Sequence, residues 1–318
     1  MKRVLFSYLS VLTLIVASGV IASAQVRPPV PRPSQKASVL QTIGTTDVTI
    51  TYSRPAVKGR VVYGDWTTPV SGEATLDNQN TRPKDAPLVP WGHVWRAGAN
   101  EATLFVAADD VLINGQLLPA GKYSLHAIPG KDEWTIIFNK DDGQWGSFSY
   151  DAKKDALRVK TKAQWVADSQ ELLAYSFDPV SDNSATAVLR WEKAKVPFTV
   201  EVKDIVGSTL TRLAAYVAAA KSDDPGPALN AGNYAKSVKR MDDAAKWYDA
   251  ALKASDEQIK AKSNFANLGR RANILVAAGK MPEALAAAEK AVEAGKAEKA
   301  DTSALEKRIA DMKAGKTN

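Results

Sequence analysis

Six side chains able to do chemistry crowd into one short run, Trp91, His93, Trp95, Arg96, Asn100 and Glu101, bracketing a turn at Gly98. An imidazole or a carboxylate beside a guanidinium suits a cleft in which His93 or Glu101 takes a proton while Arg96 holds an anion. The same residues also suit a structural ion pair between Arg96 and Glu101, with the tryptophans packed on a sheet edge. That second reading is the stronger, because a base without a nucleophile or metal partner is a weak catalytic signal. His126 is the other of the two histidines, and it could share a metal with His93 and either Asp65 or Glu101. Nothing in their spacing demands such a set, so neither metal nor cofactor is expected.

Aromatic rings on this half offer a different chemistry, since an exposed indole stacks on the apolar face of a sugar ring. Trp134 alternates in step with Ile136 and Phe138 and is expected in the core. Trp66, Trp91 and Trp145 fall in loops and remain as platforms, so the expected ligand-binding set is Trp66, Trp91, Arg96, Asn100 and Trp145. The serines near Gly146 match neither a nucleophile elbow nor a phosphate loop.

These residues ride on a chain of short strands. Asn114-Gly115 sits between two apolar runs and supplies the two positive-φ residues of a type I′ hairpin turn. Lys122 to Ile128 alternates, with Tyr123, Leu125 and Ala127 on one face and Ser124 and His126 on the other. Pro129 to Asp132 then turns the chain into Glu133 to Asn139, completing a meander. Thr46 to Ser53 is a further half-buried strand, with Val48, Ile50 and Tyr52 facing in. Gly59 to Gly64 is a short extended piece, and Trp66 to Pro90 is a long aperiodic loop of the kind that borders binding sites. Leu157 to Thr161, Glu171 to Phe177, Ala185 to Trp191 and Phe198 to Val202 add four more short strands. About nine or ten short strands without crossover helices predict an antiparallel two-sheet sandwich over 35–202.

Composition divides the chain. Seven of the eight tryptophans lie between Trp66 and Trp191, and beyond Lys203 the sequence turns rich in Ala and Lys with helical spacing. Residues 203–318 therefore form an all-α domain, broken after its first helix by Asp223 to Pro227. Helices are expected at about 228–240, 242–254, 258–278 and 281–294, with Gly279 and Gly295 as C-terminal caps and Pro282 in a first turn. Ser303 to Glu306 reads as a capping box opening a last helix. Ala244, Tyr248 and Ala251 recur as Ala284, Ala288 and Ala291, and Gly232 precedes the first copy, a tetratricopeptide-like pattern. The copies stand 40 residues apart, longer than that repeat's usual period, and Tyr248 becomes Ala288. Stacked helix pairs of this kind commonly receive a protein or peptide partner.

The start of the chain gives an address. Lys2 and Arg3 precede an apolar run from Val4 to Val20 and then Ala22-Ser23-Ala24, the pattern of a secretory signal peptide (1–24) cleaved after Ala24. The run is short for a membrane span, so none is expected after cleavage. Residues 25–34 form a proline-rich spacer, extended and poorly packed. The chain has no cysteine, which excludes disulfides and thiolate chemistry. Of the net +7 charge, residues 25–202 contribute nothing (20 basic, 20 acidic) and residues 203–318 contribute +5 (20 against 15). A surplus spread along helices, in an exported chain, does not point to nucleic acid.

Ser53-Arg54-Pro55, Gly59-Arg60, the run from Pro90 through WRAGANEAT to Thr103, LPAGKYSL from Leu118 to Leu125, Glu133 to Lys140 and Gln144-Trp145-Gly146 together resemble the bacterial exported family known as domain of unknown function 2911. The resemblance covers most of residues 35–202. It implies export and, in some members, helical repeats after the shared domain, and it supplies no activity. It also implies a Lys or other polar residue at the position of His93 in other members, which weighs against a catalytic histidine there. The leading expectation is an exported, periplasmic or secreted binding and scaffold protein, with a ligand for the sandwich and a protein partner for the helices. Its rivals are an envelope-polymer hydrolase working through Arg96, Glu101 and the histidines, and a carbohydrate-binding module using the loop tryptophans on an envelope glycan.

Overall fold

The computed structural model describes residues 30–65 and 86–316. Within them an antiparallel sheet domain is followed by six helices. The signal-peptide segment and Trp66 lie outside the described residues. No helix among those described is long and apolar enough to cross a membrane.

Strands β1 (Gln35–Ile43), β2 (Thr46–Arg54), β5 (Thr103–Ala107), β8 (Gly121–Ile128), β9 (Glu133–Asn139) and β10 (Asp155–Lys162) form one sheet in the order β1-β2-β5-β8-β9-β10. The second sheet is ordered β11-β12-β6-β7, from β6 (Val111–Ile113), β7 (Gln116–Leu118), β11 (Gln164–Val180) and β12 (Ser184–Glu201). Both are antiparallel, and their inner faces share one core. Phe105 of β5 meets Phe138 of β9 edge-on at 4.9 Å, and Phe138 meets Phe198 of β12 at 5.9 Å, so the aromatic column crosses from sheet to sheet. Each such ring contributes roughly 1.5–3 kcal/mol by leaving water. The expected inward residues Val48, Ile50, Trp134, Ile136 and Phe138 are all buried.

Several details depart from expectation. β1 is a strand of its own, hydrogen-bonded to β2 from end to end. Its pattern is blunt, because Gln41 shares the inward parity of Val39 and Ile43 while Leu40 is 57% exposed on the other face. Twelve strands are present among the described residues. The runs Ala185 to Trp191 and Phe198 to Val202 belong, but for Val202, to the single β12, and β11 is only one residue shorter. A bulge leaves its extra residues unpaired and breaks the alternation while the strand runs on, which disguises one long strand as two short ones. The small pair β3 (Tyr63–Gly64) and β4 (Val89–Pro90) is parallel, an exception to the antiparallel rule. The spacer is held down at its C-terminal end: Arg32 bridges to Glu101, and Asn100 Nδ2 donates to Ser34 O at 3.0 Å.

The Asn114-Gly115 turn forms as expected, with φ of 47° and 79° between paired Ile113 and Gln116. Asn114 Oδ1 also accepts from the Thr199 backbone N–H at 2.8 Å, tying this hairpin to β12.

Helices α1 (Ile205–Ala218), α2 (Gly226–Ser237), α3 (Met241–Ala261), α4 (Phe265–Ala277), α5 (Met281–Ala297) and α6 (Ser303–Lys313) follow. Ala244, Trp247, Tyr248, Ala251, Leu252 and Ser255 make the buried stripe of α3, at helical spacing. The helices have two apolar clusters of their own, distinct from the sheet core. α1 joins the halves: Ile205 packs on the sheet core, and Arg212 pairs with Asp109, which also accepts from Thr46.

Gly279 closes α4, with the Lys280 N–H returning to Leu275 O. Gly295 does not cap α5: it is buried inside that helix, where a β-carbon would stand 2.6 Å from Thr302 and 2.9 Å from Phe265. Lys299, at φ 59°, takes the left-handed position after it. The capping box at Ser303 does not form either. The helix begins after Thr302, Asp301 caps the Ser303 N–H at 3.0 Å, and Glu306 is bridged by Lys296.

Candidate functional site

The expected polar run is built into the scaffold. Trp95 exchanges two 2.8 Å backbone hydrogen bonds with Ala127 along the edge of β8, its ring is buried, and its indole N–H donates to Gly98 O at 3.1 Å. Arg96 Nη1 donates to Asn100 O at 2.8 Å, and both Ala97 and Asn100 hold positive φ around that turn. The ion pair of Glu101 is with Arg32, at 2.7 and 2.9 Å, rather than with Arg96. Burial alone would raise the Glu101 carboxyl; the Arg32 hydrogen bond, the backbone N–H and the charges of Arg32 and Lys36 outweigh it and hold it below its ordinary value. Arg32 also lies 5.9 Å over the Trp145 ring, which is 37% exposed. Glu101 opens onto a cavity of only about 160 Å³.

The two histidines have separate settings. His93 is half-buried, with Nδ1 at 2.8 Å from Trp91 O. His126 Nε2 lies 3.0 Å from Ser124 Oγ, a spacing that invites comparison with a nucleophile and its base, yet both side chains are fully buried. They belong to a polar layer on the outer face of β8 and β9. In it Gln144 and Ser124 meet at 3.4 Å, Tyr150 packs edge-on to His126 at 5.1 Å, and Tyr150 donates to Asp155. Burial, then the Asp155 hydrogen bond and charge, push the Tyr150 phenol far up. Covered as it is, the pair serves to satisfy the polar groups of a buried sheet face. Among the described residues no three His, Asp or Glu side chains gather into a metal site.

A larger concavity lies elsewhere, at about 730 Å³, within the range typical of small-ligand sites. Its walls are aromatic. Tyr63 of β3 lies parallel to Trp91, centroids 5.7 Å apart and planes within 9°, while Trp165 stands edge-on to both, at 5.6 and 5.9 Å. Beneath them Trp134 and Trp191 meet Tyr63 at 5.4 and 6.1 Å, tying the cavity to the core. Trp165 is 44% exposed, and its indole N–H is fixed by Lys131 O at 2.7 Å. The polar rim brings Arg60, Lys131, Asp132, Ser169 and Glu192 around these rings. Arg60 is steadied by the carbonyls of Val57 and Ala56.

A distortion of the second sheet makes this geometry. Between the pairs Trp165–Ala194 and Gln170–Glu192, β11 advances five residues while β12 advances two, and a second slip follows before Ala174. The bulge re-aims side chains toward the cavity. Opposite it, Glu192 adopts φ 52°, a left-handed conformation costing a non-glycine residue roughly 1–2 kcal/mol. The Tyr63 hydroxyl is buried without a hydrogen-bond partner among the described residues. Its pKa is raised well above the ordinary phenol value by burial and then by the Glu192 charge.

Of the residues expected to bind ligand, the structure therefore brings Trp91 to the aromatic cavity, leaves Arg96 and Asn100 in the turn that secures the spacer, and sets Trp145 beside that turn, bridged to Glu101. Tyr63, Trp165 and Glu192 were not foreseen there. Trp165 falls between the expected strands Leu157 to Thr161 and Glu171 to Phe177, yet it lies near the start of the long β11.

Residues 34–200 match the family described as protein of unknown function (DUF2911), a span that ends with the sheet domain and leaves the helices outside it. No curated protein and no solved structure matches the chain.

Proposed function

The chain belongs to the DUF2911 family of proteins of unknown function, and on that footing we propose that it is an exported binding and scaffold protein of the bacterial envelope, whose sheet domain holds a glycan. The observation that carries this reading is the aromatic corner of Tyr63, Trp91 and Trp165 opening on a cavity of about 730 Å³ with charged hydrogen-bonding groups at its rim. Apolar ring faces with a few convergent polar groups are what a sugar ring needs: its C–H face packs on an indole while its hydroxyls meet donors and acceptors. A hydrolase working through the sequence-expected residues has less support, since Glu101 is engaged by Arg32 and His126 is sealed in. The signal-peptide pattern at residues 1–24 supports export to the periplasm or beyond. The paired helices α2/α3 and α4/α5 supply a second surface for a protein partner.

The test is a titration of the mature protein with neutral oligosaccharides, following tryptophan emission and melting temperature. Expected are a saturable change in emission and a rise in Tm by linkage. If no glycan moves either signal, the glycan reading is wrong.

A further inference from the structure

We infer that Glu192 is the specificity-determining residue of the aromatic cavity, and that the ligand it selects is an uncharged pyranoside gripped through two of its hydroxyl groups. The inference rests on the glycan-binding reading above and goes further, to the class of sugar and the residue that chooses it.

Three features of Glu192 converge. It is held in a left-handed backbone conformation, φ 52°, within a strand, at the point where β11 bulges away from β12. Ordinary strand geometry would place side chains 191, 192 and 193 on alternating faces. Here Trp191 stays in the core and Glu192 lines the cavity. One carboxylate oxygen, Oε2, accepts the Lys193 N–H at 2.6 Å, while Oε1 has no hydrogen bond to any described residue. No cation pairs with Glu192 among the described residues, so the carboxylate retains acceptor capacity for a ligand. A carboxylate accepts from two neighbouring hydroxyls at once, a geometry that an amide reproduces only in part.

The charge of the rim points to a neutral ligand. Arg60 and Lys131 supply two positive charges, Asp132 and Glu192 two negative ones. Lys131 also approaches Asp65 at 3.6 Å, a pair so exposed that water screens it. An anionic sugar would meet two carboxylates and a cationic one the guanidinium and ammonium. A neutral polyol uses both sets, because each hydroxyl donates and accepts. Trp165, fixed by its bond to Lys131 O and exposed on its cavity side, supplies the stacking face.

The experiment compares wild type, E192Q, E192G and W165A, each as the full mature chain, titrated by tryptophan fluorescence and calorimetry. The probes are neutral tetrasaccharides (cello-, malto- and N,N′,N″,N‴-tetraacetylchitotetraose), tetragalacturonate as the anion and deacetylated chitotetraose as the cation. Expected are binding of a neutral probe by wild type, weakening of about tenfold or more in E192Q, and loss in W165A. E192G should bind no better than E192Q while melting no lower than wild type, because glycine tolerates the left-handed backbone. If E192Q binds as wild type while W165A does not, the cavity stands and the role of Glu192 is refuted. Preference for either charged probe refutes the neutral ligand. If wild type binds none of the probes, the glycan reading fails and this inference with it.

Discussion

The indole N–H of Trp165 donates to the carbonyl oxygen of Lys131 at 2.7 Å, joining the start of β11 to the turn between β8 and β9. One hydrogen bond thus connects the two sheets at the mouth of the cavity and sets the angle of an exposed ring, 85° to Trp91. Trp165→Phe keeps an aromatic face but frees it to rotate. It should cost about 1 kcal/mol of stability by denaturant unfolding and weaken glycan binding, though less than Trp165→Ala does. Equal binding by the Phe variant and wild type would show that the bond does not position the ring.

In the helical half, Gly232 of α2 faces Tyr248 of α3, where a β-carbon would lie 2.7 Å from the ring. The second helix pair holds Ala272 and Ala288 at the equivalent places, both buried. The copies divide the same space differently: nothing opposite a large ring, or two methyl groups. Gly232→Ala should gain about 1 kcal/mol of helix propensity yet lose about 1–3 kcal/mol to overpacking, a net loss. Gly232→Ala combined with Tyr248→Ala should be less destabilised than the two single changes summed. Simple additivity in urea unfolding would contradict the packing argument.

The spacer clamp is pH-dependent with a definite sign. The Glu101 carboxyl sits below its ordinary value in the folded chain, so the clamp contributes fully above that ordinary value, near 4.3. The contribution is lost as pH falls through the depressed folded value. Both partners are over a third exposed, at 39% and 42%, which limits it to less than about 1 kcal/mol. Carboxyl NMR titration should show the Glu101 midpoint moving upward in Arg32→Ala. An unmoved midpoint would mean that Arg32 does not hold this carboxylate in solution.

Tyr63 runs the other way. Burial and the Glu192 charge raise its phenol, so its contribution is complete below about 10 and declines as pH climbs beyond that value. Tyrosinate absorbance should show Tyr63 and Tyr175, also raised by burial, ionising after the exposed tyrosines. Glu192→Gln should bring the Tyr63 midpoint down. No change in that variant would separate Tyr63 from Glu192 electrostatically.

Asn114 supplies both a left-handed turn residue and three side-chain links, accepting from Thr199 N at 2.8 Å and Thr199 Oγ1 at 3.1 Å and donating to Lys160 O at 3.0 Å. Asn114→Ala should lower stability by about 1–3 kcal/mol, read from the urea midpoint, because it strains the turn and leaves those backbone groups without their partner.

Local rules made much of this protein legible from its residues in order. Period-two alternation at Val48, Ile50 and Tyr52, and at Trp134, Ile136 and Phe138, set which faces turn inward, because side chains of a strand point alternately whatever lies around them. Asn114-Gly115 determined a hairpin because few residues accept positive φ, and the change to Ala and Lys with helical spacing after Lys203 marked the second half. Tertiary structure decided the rest. Whether Arg96 or Arg32 would reach Glu101 depended on where the spacer lies, a contact 69 residues apart in the chain that no spacing encodes. Trp165 and Trp134 are the same residue type in strands, yet one is 44% exposed and the other fully buried. A bulge of β11 against β12 separates their fates, and a bulge is a property of two strands in register, visible only once both are in place. The cavity that Tyr63, Trp91, Trp165 and Glu192 enclose was written across four distant segments, and only packing of the two sheets brings those segments to one place.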